Sequence, residues 1–154
     1  MARPPQRSAG THRAPSRAVV VAYSLAAILA MAGLTDAVYL AVMHLTGQSA
    51  VCGASAGCSQ VLSSKYAQIG PVPVALLGAV GYFSVFALAI FAACGYARAG
   101  RWLILAVAPM FVGSLWFLSL QAFVLHAFCP YCLFSAAITF VLAGLMLAIT
   151  PPKP

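Results

Sequence analysis

Apolar residues in this chain fall in four long runs, with the polar residues gathered between them. The runs are Ala18–Leu45, broken only by Asp36 and His44; Val74–Cys94; Trp102–Leu125, with Pro109 inside; and Pro130–Thr150, stopped by Pro151 and Pro152. Each meets the roughly 20 residues that a helix needs to cross a bilayer. Backbone polar groups in lipid must bond within their own segment, and none of the runs shows the ten-residue alternation of a barrel strand. The pattern predicts an all-α integral membrane protein: a four-helix transmembrane bundle with a long outer loop between the first two helices. Its domain is expected at 18–150, with spans at about 18–45, 74–94, 102–125 and 130–150, preceded by a disordered cytoplasmic tail over 1–17 that is rich in Arg, Pro and Ser.

Composition removes the soluble alternatives. Hydrophobic residues make up 64% of the chain and charged residues 6%, and the mean hydropathy is +1.01. A soluble domain carries about 25% charged residues. The net charge of +7 suggests nucleic acid only if the basic residues form a patch, and here they sit at the edges of apolar runs. The basic lead Arg3, Arg7, Arg13 and Arg17 is also the mark of a secretory signal, whose apolar core spans about 7–15 residues. Here apolarity resumes through Val38–Val42, so a retained helix is expected. Four spans leave both termini on one side, with Arg3, Arg7, Arg13, Arg17, Arg98, Arg101 and Lys153, while Lys65 alone lies opposite. The positive-inside rule makes the crowded side cytoplasmic, in the cell (cytoplasmic) membrane.

That orientation sends Cys52, Cys58, Cys129 and Cys132 to the outer face, where disulfides persist, and leaves Cys94 inside. Cys129-Pro130-Tyr131-Cys132 has the spacing of a redox dithiol. Pro130 suits the first helical position, which puts Cys129 at the cap and Cys132 on the same face one turn in. A helix N-terminus stabilises thiolate. A plain staple is the other reading, but so short a loop stabilises by only about 2 kcal/mol. Cys52 and Cys58 enclose Gly-Ala-Ser-Ala-Gly, a pliable stretch suited to a shuttle. Taken alone, this pair reads as a structural disulfide; beside the second pair it reads as a carrier of electrons. Zinc fits poorly, since structural sites favour two to four residues between paired ligands.

Cys52, then Cys58-Ser-Gln-Val-Leu-Ser-Ser64, Tyr66-Ala67, Gly70-Pro71-Val72-Pro73-Val74-Ala75-Leu76-Leu77-Gly78, Tyr82 and the distant Cys129-Pro130-Tyr131-Cys132 resemble the vitamin K epoxide reductase family, most of all its bacterial members. The resemblance implies a membrane thiol oxidase that passes electrons from a thioredoxin-like protein through two cysteine pairs to a quinone (menaquinone or ubiquinone), generating disulfides for secreted proteins. By position, Cys52 and Cys58 become the loop shuttle, Cys129 the residue that exchanges with it, and Cys132 the one facing the quinone. Ser64 matches a serine near the quinone head group. The vertebrate enzymes carry a tyrosine where this chain has Ala136 and an asparagine near Val72–Ala75, so the likeness implies thiol oxidation rather than epoxide reduction. With no thioredoxin-like extension before Pro154, the donor is expected to be a separate protein on the outer face.

Asp36 is the single acid and lies within the first span. Ionisable residues there are costly and are functional candidates. A proton path for quinone reduction and a packed, hydrogen-bonded carboxyl both remain open. His44 and His126, at outer helix ends, are either proton donors or ordinary interfacial residues. Another quinone-linked class, the disulfide bond formation protein B family, carries its pairs in the reverse order. A tetraspan scaffold or transport protein with purely structural disulfides is the alternative from outside the enzymes.

Overall fold

The computed structural model describes residues 16–46 and 56–149. Cys52, the tail through residue 15 and the end from residue 150 lie outside the described residues. Among the described residues four helices are long and apolar enough to cross a membrane: α1 (Arg17–Thr46), α3 (Val74–Ala93), α4 (Ala97–Ser119), which continues as a π-helical stretch through Leu125, and α5 (Pro130–Ala148). A short helix, α2 (Ala56–Leu62), and a hairpin of β1 (Gln68–Ile69) and β2 (Val72–Pro73) fill the connection between α1 and α3. The expected multi-pass helical membrane bundle is the observed one.

Small residues decide the packing. On α1 the buried positions Ala26, Ala30, Gly33, Ala37 and Ala41 recur every three or four residues and form one stripe. That stripe meets α3 through Ala79, Tyr82, Val85 and Ala89. Apolar burial gives little drive between helices in lipid, so close approach of backbones and interhelical hydrogen bonds hold the bundle. Gly33 shows how close: a Cβ there would overlap the ring of Tyr82. The helices form a closed ring, α1 beside α3, α3 beside α4, α4 beside α5 and α5 beside α1. Large apolar side chains such as Phe123 and Leu147, 80% and 83% exposed, point outward to where lipid would lie.

The connections set the two ends of the bundle. At one end α3 stops at a Schellman turn: Gly95 takes φ 93°, its N–H bonds Ala92 O at 3.0 Å, and Tyr96 N–H bonds Phe91 O at 3.1 Å. The Phe91 and Tyr96 rings meet edge to face beside it. Arg17, Arg98 and Arg101 gather at this end, where Gly100 lies under the Tyr23 hydroxyl. At the other end Gly70, at φ 64°, opens the tight turn between β1 and β2. The His44 ring and the Gln68 amide, 2.6 Å apart, tie that hairpin to α1.

Candidate functional site

Cys58, Cys129 and Cys132 all lie at the hairpin end. Pro130 occupies the first turn of α5, and Cys129 before it is the N-cap, with extended backbone (φ −96°, ψ 116°). Its carbonyl accepts the Leu133 N–H at 3.0 Å, as a cap residue's should. Cys58 comes from α2 and is fully buried, like Cys129. Their sulfurs are 3.3 Å apart although the residues are separated by 71 positions. Cys58 is itself disulfide-bonded, while Cys129 and Cys132 are free thiols. A thiol therefore rests against the sulfur of an existing disulfide, the arrangement from which exchange proceeds.

The surroundings make Cys129 the more reactive thiol. Its Sγ receives a hydrogen bond from the Cys132 thiol and lies over the N–H groups of Tyr131 and Cys132 in the first turn of α5. Together these hold its pKa down at about 7, below the ordinary 9.0, against the opposing pull of burial and of Asp36. Val61 and Ala127 are buried against the same sulfurs, with Leu62 and Leu125 beside them.

Why α2 reaches this position is legible in two contacts. Gly57 has no side chain to keep it off the Phe128 carbonyl; a Cβ would stand 2.6 Å from that oxygen. Gln60 then donates its amide to Leu125 O at 3.2 Å, fastening the helix to the π-helical end of α4.

Beneath the sulfurs lies a cavity of about 820 Å³ between α1, α3, α4 and α5. Cys132 forms part of its wall and Cys129 does not. Most of the lining is apolar, including Leu40, Val61, Met110, Trp116 and Phe117; polar groups come from His44, Tyr82, Ser84, Ser114, Ser135 and Thr139. Such a size and lining suit a drug-sized aromatic ligand. The Tyr82 hydroxyl donates to Ser135 O at 2.7 Å and lies 2.8 and 2.9 Å from Ser135 Oγ and Thr139 Oγ1, joining α3 to α5 one turn below Cys132. Asp36 stands near this wall, 8% exposed, with Oδ2 lacking a hydrogen-bond partner. Its neighbour Thr35 bonds back to Met31 O instead.

The remaining expected site residues are placed as follows. Ser64 is half-buried, donates to Val61 O at 2.7 Å, and is not among the residues lining the cavity, although Val61, Leu62 and Ala67 are. Cys52 lies outside the described residues. Among the described residues no cluster of His, Cys, Asp or Glu is arranged to hold a metal. Gln121, which nothing in the sequence pattern singles out, accepts the Cys129 N–H on its Oε1 at 2.9 Å.

The bundle, the cysteine at the cap of its last helix and the apolar cavity beneath form one continuous unit, and residues 24–147, which cover most of it, match the model of the vitamin K epoxide reductase family. By that match the chain belongs to the vitamin K epoxide reductase family, membrane oxidoreductases whose chemistry joins disulfides to quinones.

Proposed function

We propose that this protein is a quinone-dependent thiol oxidase of the cytoplasmic membrane, with both termini in the cytoplasm and the cysteines on the outer side. The observation that carries the reading is the 3.3 Å approach of Cys58 to Cys129 with Cys132 in the cavity wall below. In the proposed relay, a thioredoxin-like protein on the outer side gives two electrons to the loop pair through Cys52. Cys58 then attacks Cys129 of an oxidised Cys129–Cys132 pair, forming a bond between 58 and 129 and releasing Cys132 as a thiol. Cys52 resolves that bond, leaving the loop oxidised and the membrane pair reduced, the same combination of a bonded Cys58 and free Cys129 and Cys132 found in the structure. A quinone in the cavity supplies the two-electron oxidising power that reforms the Cys129–Cys132 bond. Cys132 lines that space, and the Tyr82 knot fixes the turn of α5 below it. Ser64 is proposed to act at the head group through the segment whose neighbours Val61, Leu62 and Ala67 line the wall.

The net reaction converts a partner dithiol and a quinone into a partner disulfide and a quinol, with two protons taken up by the quinone. Ala136 lines the cavity without a hydroxyl, which favours thiol oxidation over epoxide chemistry. The test is turnover: purified protein, a reduced thioredoxin-like protein and a short-chain quinone should give quinol, and Cys58→Ser or Cys129→Ser should remove it. Quinol formation that survives both substitutions would overturn the relay; no turnover in wild type, with both pairs inert, would favour a scaffold with structural disulfides.

A further inference from the structure

The π-helical stretch Leu120–Leu125 carries a side chain that the relay does not use. Gln121 is 1% exposed, in the last turns of an apolar helix. Its main-chain carbonyl accepts the N–H groups of His126 and Ala127, the latter at 3.2 Å. Its side-chain Oε1 accepts the N–H of Cys129. One residue therefore holds both ends of the connector 126–129. The widened π register makes this possible, since bonds reaching five residues back advance the helix end, and such turns recur at functional sites. Without Oε1 the Cys129 N–H would be buried against Cys58, Val61 and Ala127 with no acceptor. The two ends of the amide differ: Oε1 is bonded, whereas Nε2 has no partner.

We propose that Gln121 is a positioning residue for exchange between Cys58 and Cys129, pinning the Cys129 backbone so that its sulfur stays within reach of Cys58 while it also meets the Cys132 thiol. The proposal rests on the relay described above. Cys129 must serve two partners, Cys58 across the loop and Cys132 one turn along its own helix. The helix itself places Cys132; outside the first turn the Leu133 N–H holds the Cys129 carbonyl and Gln121 holds its N–H. Loss of the pin should therefore slow the step between 58 and 129 and spare the step at the cavity.

Two substitutions separate the ends of the amide. Gln121→Met keeps the length and removes the acceptor; Gln121→Glu keeps an oxygen toward Cys129 and replaces the unpartnered Nε2 with the second oxygen of a carboxyl. In a Cys132→Ser background, with the loop disulfide formed in acid and the pH then raised, Cys129 thiolate attacks Cys58. The 58–129 bond forms, the existing Cys58 disulfide breaks, and its former partner leaves as a thiolate that takes a proton. Non-reducing peptide mapping follows that bond in time, and oxidation of the pre-reduced Gln121 variants, with Cys132 intact, by a short-chain ubiquinone follows the other step. Gln121→Met should slow the cross-link about tenfold, the scale of one lost buried hydrogen bond, while quinone-driven oxidation stays within about twofold and Gln121→Glu restores most of the cross-linking rate. Cross-linking at the parent rate in Gln121→Met, or a Glu variant as slow as the Met variant, would overturn the proposal. Should Gln121→Met lose its fold, shown by its melting temperature in detergent, the Glu variant alone decides in the same sense. If the Cys132→Ser parent forms no 58–129 bond, the relay fails and takes this proposal with it.

Discussion

As the N-cap of α5, Cys129 stands where the Cys132 thiol and two helix N–H groups converge on one sulfur. With its pKa held down at about 7, its thiolate becomes available near neutral pH. Thiolate is the attacking form, so attack of reduced Cys129 on the Cys58 disulfide, the relay step run in reverse, should speed up with pH to about 7 and level off above it, falling about tenfold per unit below. Cys132→Ala removes the largest cause of the depression and should move the midpoint up toward the ordinary 9.0, read from thiolate ultraviolet absorbance with Cys129→Ala as the blank. An unmoved midpoint would assign the depression to the helix terminus alone. Asp36 poses a different problem, because a nearly buried carboxyl with one unbonded oxygen is a cost that packing alone does not explain. If it conducts protons to the cavity, Asp36→Asn should slow quinone reduction by the pre-reduced protein about tenfold or more while leaving the cysteine exchange intact. Unchanged quinone reduction across pH 5–8 would return Asp36 to a packing role.

Among the elements, α2 is held over the connector by the Gln60 bond, by the absence of a side chain at residue 57 and by the burial of Cys58 and Val61. Gly57→Ala should lift α2 from the Phe128 carbonyl, separate Cys58 from Cys129, and slow the cross-link without changing oxidation of the membrane dithiol by quinone; equal effects on both steps would point to general unfolding. This helix also marks where sequence reading stops. The four spans were readable because each is an apolar run longer than a bilayer is thick, and Pro130 announced the start of the last one. The stretch around α2 is Gly-, Ala- and Ser-rich and carries no periodicity, so it reads only as a pliable loop; tertiary contact with α4 makes it a helix. The Gly70-Pro71 pair is a turn signal, yet strands of two residues are too short to leave a pattern around it. The cysteine pairs were visible in spacing, whereas the exchange of the loop with Cys129 was implied by the family resemblance alone. Gln121 was hidden for a plainer reason: one polar residue near the end of an apolar run looks like the approach to the interface. Only the π register, which no hydrophobic period encodes, turns its side chain toward Cys129.

At the scale of the whole molecule, the ring of helices separates two chemistries by the length of a span. Arg17, Arg98 and Arg101 lie at one end and the sulfurs at the other, with Lys65. If basic residues mark the cytoplasm, a reporter fused after Pro154 should be active only there, and an externally active fusion would reverse the proposed direction of electron entry. The bundle also encloses the cavity directly beneath the sulfurs, so a relay of two pairs needs only one long-range contact, that between α2 and the cap of α5. That contact is the central claim, and it has a direct measurement. Cys132→Ser protein, digested without reduction and mapped by mass spectrometry, should yield a peptide pair joined through residues 58 and 129. Cys58→Ser should instead hold a thioredoxin-like protein on Cys52. Recovery of a Cys52–Cys58 pair alone in the first variant, with no bond across to α5 and no captured protein in the second, would contradict the relay.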